Sequence, residues 1–397
     1  AALLASCAEG PAGIFSSVYS EQEIAGSSTE GLETVSPGFV VRLGDSYYAG
    51  IGTLWTKAAT GGWSQVQASD LTEILATKAP FAGSAVVIGT TMYAAFNDPD
   101  TGASLGVWST PDATTWTLVG GLPTSRGLRR VLTDGTTLYA VTENVRSGTD
   151  TAVNRSIHYL DGTQFSATSI VENTVIGVPD SATRIGTTVW MAAEGKLLTG
   201  TAASLAVLAT APDDWTANTA APTYGGLCAA DVDSDGVDDI VVSGTAGKLH
   251  ATADGGSTWT TTASGSIYAN SSSDPYRFGI PSYVEFTSGT TTTRRLLVGT
   301  TRRQISEDAV PIAGYLEFDL SNATAVTGFA TLAKDEAHAG ISDATNFAAS
   351  LSTTSIHEMP VFSTSTGKMV FALTAGDGFW SNEYTSTTGT WSAWRRE

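Results

Sequence analysis

Short apolar runs alternate along the chain with turns rich in Gly, Thr, Ser and Asp, and no stretch of any length carries the 3.6-residue period of an amphipathic helix. The runs recur as a pattern. A Gly or Thr turn opens onto a short aromatic or aliphatic strand in Asp45-Ser46-Tyr47-Tyr48-Ala49-Gly50, Gly89-Thr90-Thr91-Met92-Tyr93-Ala94-Ala95, Gly135-Thr136-Thr137-Leu138-Tyr139-Ala140 and Gly186-Thr187-Thr188-Val189-Trp190-Met191-Ala192. Looser copies follow at Asp238-Asp239-Ile240-Val241-Val242, Arg295-Leu296-Leu297-Val298-Gly299 and Gly367-Lys368-Met369-Val370-Phe371-Ala372. Asp70 to Ala79 is the one stretch that reads as a helical turn.

Two further units accompany each copy. An apolar strand precedes it, clearest at Phe39-Val40-Val41 and Ala85-Val86-Val87-Ile88. After it come a strand, a polar turn and a strand opened by an aromatic, as in Leu54-Trp55 to Trp63, Val107-Trp108 to Trp116, His158-Tyr159 to Phe165, Leu249-His250 to Trp259 and Phe379-Trp380 to Trp391. Blades four and six keep these strands, at Lys196-Leu197-Leu198 and Tyr315-Leu316-Glu317-Phe318, with weaker aromatics. Such a module is a four-stranded antiparallel sheet. Seven of them, at about 40–67 residues each, predict an all-β, seven-bladed β-propeller of four-stranded antiparallel blades over residues 38–397. A chain of 397 residues exceeds what one ordinary core organises, and a propeller solves this by adding core with each blade. The ten Trp fall where they would wedge between blades. Residues 1–37 lie outside the repeats and are expected to form an N-terminal extension that tethers, caps or docks.

The strongest chemical signal is Asp231-Val232-Asp233-Ser234-Asp235-Gly236-Val237-Asp238-Asp239. Carboxylates at positions 1, 3, 5 and 9 converge when the chain loops around one point. Gly236 permits the sharp turn, and the Val237 carbonyl offers another oxygen. Hard cations want six or more such oxygens, so Asp231, Asp233, Asp235, Asp239 and Val237 are the expected ligands of one Ca2+. An EF-hand would need Glu at position 12, where Val242 stands, and a strand follows instead of a helix. The loop resembles the calcium loops of FG-GAP and VCBS propeller repeats, which implies a structural ion.

A second motif, Thr252-Ala253-Asp254-Gly255-Gly256-Ser257-Thr258-Trp259, resembles the Asp box of sialidase-like (BNR) propellers. Ser109-Thr110-Pro111-Asp112-Ala113-Thr114-Thr115-Trp116 is a shortened copy, and Leu160-Asp161-Gly162-Thr163-Gln164-Phe165 a remnant. In that family the boxes lie away from the active site, so they imply fold and not activity. Tyr276-Arg277-Phe278-Gly279-Ile280-Pro281 is similar to the sialidase (F/Y)RIP motif but departs from it by an extra residue pair and by its place in the sixth blade. Arg42 is the one Arg near the expected position of the family's Arg triad.

Charge narrows the classes. A net charge of −19 excludes the basic stripe that a phosphate backbone requires, so no nucleic-acid partner is expected. The pairs Arg129-Arg130, Arg294-Arg295 and Arg302-Arg303 read as solvated strand edges. No apolar run reaches the roughly 18–20 residues of a membrane span. The four His residues show no metal-ligating spacing, and no P-loop, G-x-S-x-G or C-x-x-C is present.

Few charges and many hydroxyls fit a secreted or bacterial cell-surface protein. Leu4-Ala5-Ser6-Cys7 matches a bacterial lipobox, while cleavage by an ordinary signal peptidase ahead of Ala1 is the preferred expectation. Cys7 and Cys228, the only two cysteines, leave three alternatives: a disulfide between them, lipidation of Cys7, or free thiols. The functional expectation is a non-catalytic propeller that binds another surface protein, a filament or a glycan, attached through its N-terminal segment. The alternative is a glycan-active enzyme of the sialidase-like or lyase type. Its signature would be two or more carboxylates with an Arg or Tyr at one mouth of the central channel.

Overall fold

A computed structural model of the chain describes residues 37–59, 61–76, 78–144, 153–174, 176–193, 195–212, 225–244, 248–262, 277–301, 314–321, 325–331, 334–335, 355–374 and 378–397. Their strands form seven antiparallel sheets in sequence order, each built from its own stretch of chain. The seven tyrosine- or aliphatic-centred runs are the second strands of seven successive blades: Ser46–Ile51, Thr91–Asn97, Leu138–Asn144, Thr188–Ala193, Asp239–Ser243, Thr291–Thr301 and Gly367–Thr374. A second strand has sheet neighbours on both edges and a blade against each face. Its side chains are therefore mostly apolar on both sides, as at Leu138 to Val141 in the strand Leu138–Asn144, whose first six residues are all buried.

Six sheets have four strands and the seventh has six. The excess comes from splitting, not from added layers. Ile356–Glu358 and Val361–Ser363 both pair with the second strand, because Pro360 between them has no N–H to continue the ladder. Thr390–Trp391 and Arg395–Arg396 likewise share one partner strand, Phe379–Thr385. Where a helical turn is expected over Asp70 to Ala79, a single 3-10 turn lies at Ala68–Leu71 and shares only Asp70 and Leu71 with that stretch, and another 3-10 segment runs over Val326–Thr331. Among the described residues no helix is long and apolar enough to cross a membrane.

The core is partitioned by the ring. Seven hydrophobic clusters fill the seven blade-to-blade interfaces, for example Leu132, Tyr139 and Ile157 of blade 3 against Val189, Met191 and Leu198 of blade 4. The last cluster joins Val40, Tyr47 and Ala49 of blade 1 to Met369, Phe371 and Phe379 of blade 7, which closes the circle. Each buried large side chain contributes about 1.5–3 kcal/mol, so the interfaces carry most of the stability. Tryptophans act as expected in this packing: Trp116 meets Phe96 edge-on at 5.3 Å, and Trp63 spans from blade 1 to Phe379 of blade 7 at 5.3 Å.

The closing interface also holds a buried ion pair. Lys57 of blade 1 meets the Glu397 carboxylate, which accepts further bonds from Trp63 Nε1 at 2.9 Å, Arg395 Nε at 3.1 Å and the Ser381 hydroxyl. Burial pushes the Lys57 pKa down against the pull of Glu397. Burial would raise Glu397, but Lys57, Ser381 and Arg395 together hold it below the usual carboxylate range.

The expected propeller spans residues 38–397; residues 1–36, Cys7 among them, lie outside the described residues, as do Tyr276, His338, Arg302 and Arg303. Cys228 is a free thiol among the described residues and lies on the first strand of blade 5.

Candidate metal centre and central channel

The acidic loop joins the first strand of blade 5, Leu227–Ala230, to its second, Asp239–Ser243. A hairpin this tight forces the chain through left-handed backbone, and Ser234 takes φ 65° and Gly236 φ 85°. The turn is held by its own side chains. Asp231 Oδ2 accepts the Gly236 N–H at 3.3 Å, Asp233 Oδ1 that of Asp235 at 3.3 Å, and Asp235 Oδ1 that of Val237 at 2.7 Å. These bonds turn three carboxylates toward one point. One oxygen from each of Asp231, Asp233 and Asp235 lies within 4.8 Å of the others.

The cluster is short of positive charge. Asp231 is buried, and its Oδ1 has no hydrogen-bond partner. The Asp239 pKa is raised to about 7, first by burial and then by Asp233, Asp235 and Asp231. Burial, Asp231 and Glu285 also raise Asp238. Arg294 of blade 6 reaches in, 3.5 Å from Asp231 Oδ2 and 3.0 Å from Ser234 Oγ, but it also serves Glu285 at 2.9 Å. One guanidinium does not balance five aspartates. An orphaned buried carboxylate oxygen beside two more carboxylates is a donor set for a hard cation, so the residues fit a metal ion. Asp239 sits just outside the trio, buried at the start of the strand, with Oδ2 accepting the Val232 N–H at 3.2 Å. The Val237 side chain points to solvent.

The two Asp-box-like turns also use acid at a hairpin, with the opposite outcome. In blade 5, Asp254 Oδ1 accepts the Thr258 N–H and the Thr252 hydroxyl, both at 2.9 Å, and Oδ2 accepts the Thr258 hydroxyl at 2.6 Å. In blade 2, Asp112 Oδ1 accepts the N–H groups of Thr114 and Thr115 at 2.9 Å. Both carboxyls are lowered to about 2 by these bonds. Gly256 is required twice over: its φ is 84°, and a Cβ there would come within 2.9 Å of Trp190 and Leu208. Trp259 then packs on Trp190 at 6.4 Å. The blade-3 remnant is a two-residue turn with Gly162 at φ 65° and Phe165 buried.

The first strands of all seven blades line a central channel of about 490 Å³. Its wall is mainly apolar, from Phe39 and Val41 round to Ile280 and Pro281, and it carries three charged side chains. Arg130 of blade 3 pairs with Asp180 of blade 4 at 2.8 Å. The side chain of Glu358 of blade 7, which stands opposite them in the ring, has no hydrogen bond or ion pair among the described residues, and burial raises its pKa. Two carboxylates and an Arg thus share the channel. The sequence reading took Arg130 for half of a solvated strand edge and did not flag Asp180 or Glu358, because the three come from different blades and no local motif joins them.

Other expected positions resolve into structural roles. Ile280 and Pro281 line the channel, whereas Phe278 is fully buried between blades 5 and 6. Arg42 pairs with Asp45 at 3.1 Å and donates to the Ser363 carbonyl of blade 7. His158 is buried against Thr142 at 3.1 Å, with its pKa lowered by burial. Arg294 and Arg295 are not solvated edges: both are engaged by carboxylates, Arg295 by Asp319 at 2.8 Å. A further carboxylate that the sequence did not flag is Asp134, which takes the Tyr139 hydroxyl at 2.8 Å and ties blade 3 to Arg184 of blade 4 at 2.5 Å.

No family model and no curated protein matches the sequence. Among solved structures the chain is similar to an ancestral GH74 enzyme, with a TM-score of 0.55 and 11% identity over 88% of this chain and 48% of that one. It therefore spans about half of that enzyme's length. It also matches YCF48 from Cyanidioschyzon merolae, with a TM-score of 0.41, 13% identity and coverage of 79% and 84%. BamB from Moraxella catarrhalis matches with a TM-score of 0.38, 14% identity and coverage of 88% and 85%. At such identities the likeness is one of fold, and the chain is a seven-bladed β-propeller.

Proposed function

We propose that this propeller is a non-catalytic binding module, secreted or held at a bacterial cell surface, whose fifth blade carries one structural Ca2+. The observation that carries the metal assignment is the buried, unpartnered Asp231 Oδ1 beside the carboxylates of Asp233 and Asp235. All donors are oxygens, and a loop this compact suits the larger, more loosely coordinated Ca2+ better than Mg2+, which demands near-octahedral ligands. Asp239 and the Val237 carbonyl complete the proposed set. Every ligand would come from one hairpin, so the ion would rigidify the blade-5 loop and would perform no chemistry. Partners are a protein, a filament or a glycan, and residues 1–37 are the proposed attachment segment, through Cys7 or by docking. Calcium titration followed by calorimetry tests the ion: one-site binding that Asp231→Asn abolishes supports it, and no heat at millimolar Ca2+ removes it.

A second reading, a glycan-active enzyme, is favoured by one observation: Asp180 and Glu358 share the channel with Arg130. Carboxyl groups in unlike environments are what acid–base chemistry on a glycosidic bond uses. Incubation with a panel of polysaccharides and chromatography of the products separates the readings. Products that disappear in Glu358→Gln would establish the enzyme.

A further inference from the structure

The channel holds more negative than positive side-chain charge. Its charged and titratable wall groups among the described residues are Arg130 of blade 3, Asp180 of blade 4, Cys228 of blade 5, Tyr283 of blade 6 and Glu358 of blade 7. Arg130 is already committed to Asp180 at 2.8 Å. The Tyr283 hydroxyl is committed to Glu285 at 2.9 Å. Cys228 has its thiol pKa raised by burial and carries no charge at neutral pH. The Glu358 side chain is left with neither hydrogen bond nor ion pair among the described residues, although it senses both Arg130 and Asp180.

We propose that the channel binds a small alkylammonium or alkylguanidinium ion, with the cationic head against Glu358 and the alkyl part along the apolar wall of Phe39, Ile280 and Pro281. This deepens the binding-module reading and rests on it. Three arguments select a cation. An anion would find its only guanidinium already taken by Asp180. A divalent metal would find one uncommitted carboxylate, and the three-carboxylate cluster found among the described residues is elsewhere, at Asp231. The chain as a whole, at −19, concentrates cations around itself. Size agrees as well, since about 490 Å³ falls in the range of small-molecule sites. Burial holds the free carboxyl toward its protonated form. Where the free carboxyl is protonated, its proton passes to the buffer before Glu358–COO− pairs with R–NH3+. Affinity therefore rises with pH.

The test is calorimetry of the full chain with n-butylammonium chloride, with N-butylguanidinium chloride, and with 1-butanol as the neutral control. The expected result is one-to-one binding of both cations, with no heat from butanol. Affinity should fall about tenfold or more in Glu358→Gln, as expected when one partner of a desolvated charge pair is lost. Repeating the titration across a range of pH should show affinity rising with pH in the wild type and not in the variant. Glu358→Gln is close to isosteric and breaks no existing bond, so its melting temperature should be unchanged, which shows that the variant is folded. Equal affinity in Glu358→Gln, equal binding of butanol, or no binding at roughly 50 mM cation overturns the inference. If cation binding fails while the chain still captures a surface partner, the inference falls and the binding-module reading stands. If polysaccharide products appear and no cation binds, both fall.

Discussion

Two acidic hairpins of blade 5 are separated in sequence by two strands and treat aspartate in opposite ways. In the turn around Asp254 each carboxylate oxygen has donors, and the pKa falls to about 2. In the loop from Asp231 to Asp239 the carboxylates face one another, Asp231 Oδ1 has no donor, and the Asp239 pKa climbs to about 7. Residue type does not distinguish the two. The difference is where the backbone N–H groups point. A lone Asp wrapped by its own turn is satisfied by the chain, whereas three converging ones concentrate negative charge that a cation could meet. A third case sits at the ring closure, where Glu397 is also buried and is met by a cation of the chain itself, Lys57.

These three solutions rank the expected effects. Removing the resident cation should cost most. Lys57→Met leaves Glu397 buried without its main partner, and the expected loss is about 3–5 kcal/mol in denaturant unfolding. Adding Glu397→Gln to Lys57→Met should recover part of that loss; no recovery would mean that packing around the methylenes, not charge, accounts for it.

Removing the bound cation comes next. In Ca2+ at about a hundred times its dissociation constant, the ion should stabilise the fold by about 2.7 kcal/mol, and a chelator should take that away. Asp233→Asn should lower the melting temperature in Ca2+ and make it insensitive to chelator.

Breaking a self-satisfied turn should cost less. Asp254→Ala should lower the melting temperature by a smaller amount than chelation does, because the turn is solvent-exposed and water replaces the lost acceptor. The drop should be the same in Ca2+ and in chelator. A calcium-dependent drop would merge the two kinds of hairpin that the account keeps apart.

The smallest effect is on pH. Asp112 and Asp254 have folded-state values of about 2 against an ordinary 3.8. A depressed carboxyl stabilises the fold fully above the unfolded value, and that contribution is lost as pH falls from 3.8 toward 2. Replacing both residues with Asn should flatten the acid limb of the stability curve in that window, as followed by thermal melts in steps of pH.

The second strands and the acidic loop were legible in the sequence for one reason: each is local. Gly89-Thr90-Thr91-Met92-Tyr93 shows its turn and its doubly buried strand within a few residues, and Asp231 to Asp239 shows its spacing. Local spacing could not show that Asp239 would start the strand and give an oxygen to the Val232 N–H, outside the trio of Asp231, Asp233 and Asp235. The split edges of blade 7 were readable in principle from Pro360, which cannot donate to a ladder. Asp180 and Glu358 were not readable at all, and Arg130 read only as half of a solvated pair. They meet only because a ring of seven brings blades 3, 4 and 7 around one axis, and each alone looks like an ordinary strand residue. Arg294 is similar: it appeared as half of an exposed pair, and its contact with Ser234 and Asp231 depends on how blade 6 packs on blade 5.

The central claim is that the blade-5 loop needs a cation while the neighbouring turn does not. The most direct measurement is the melting temperature of the wild type, Asp231→Asn and Asp254→Ala, each in millimolar Ca2+ and in excess chelator. The expected result is a calcium-dependent rise in the wild type and in Asp254→Ala, with none in Asp231→Asn. Identical melting temperatures for the wild type in Ca2+ and in chelator would contradict the account.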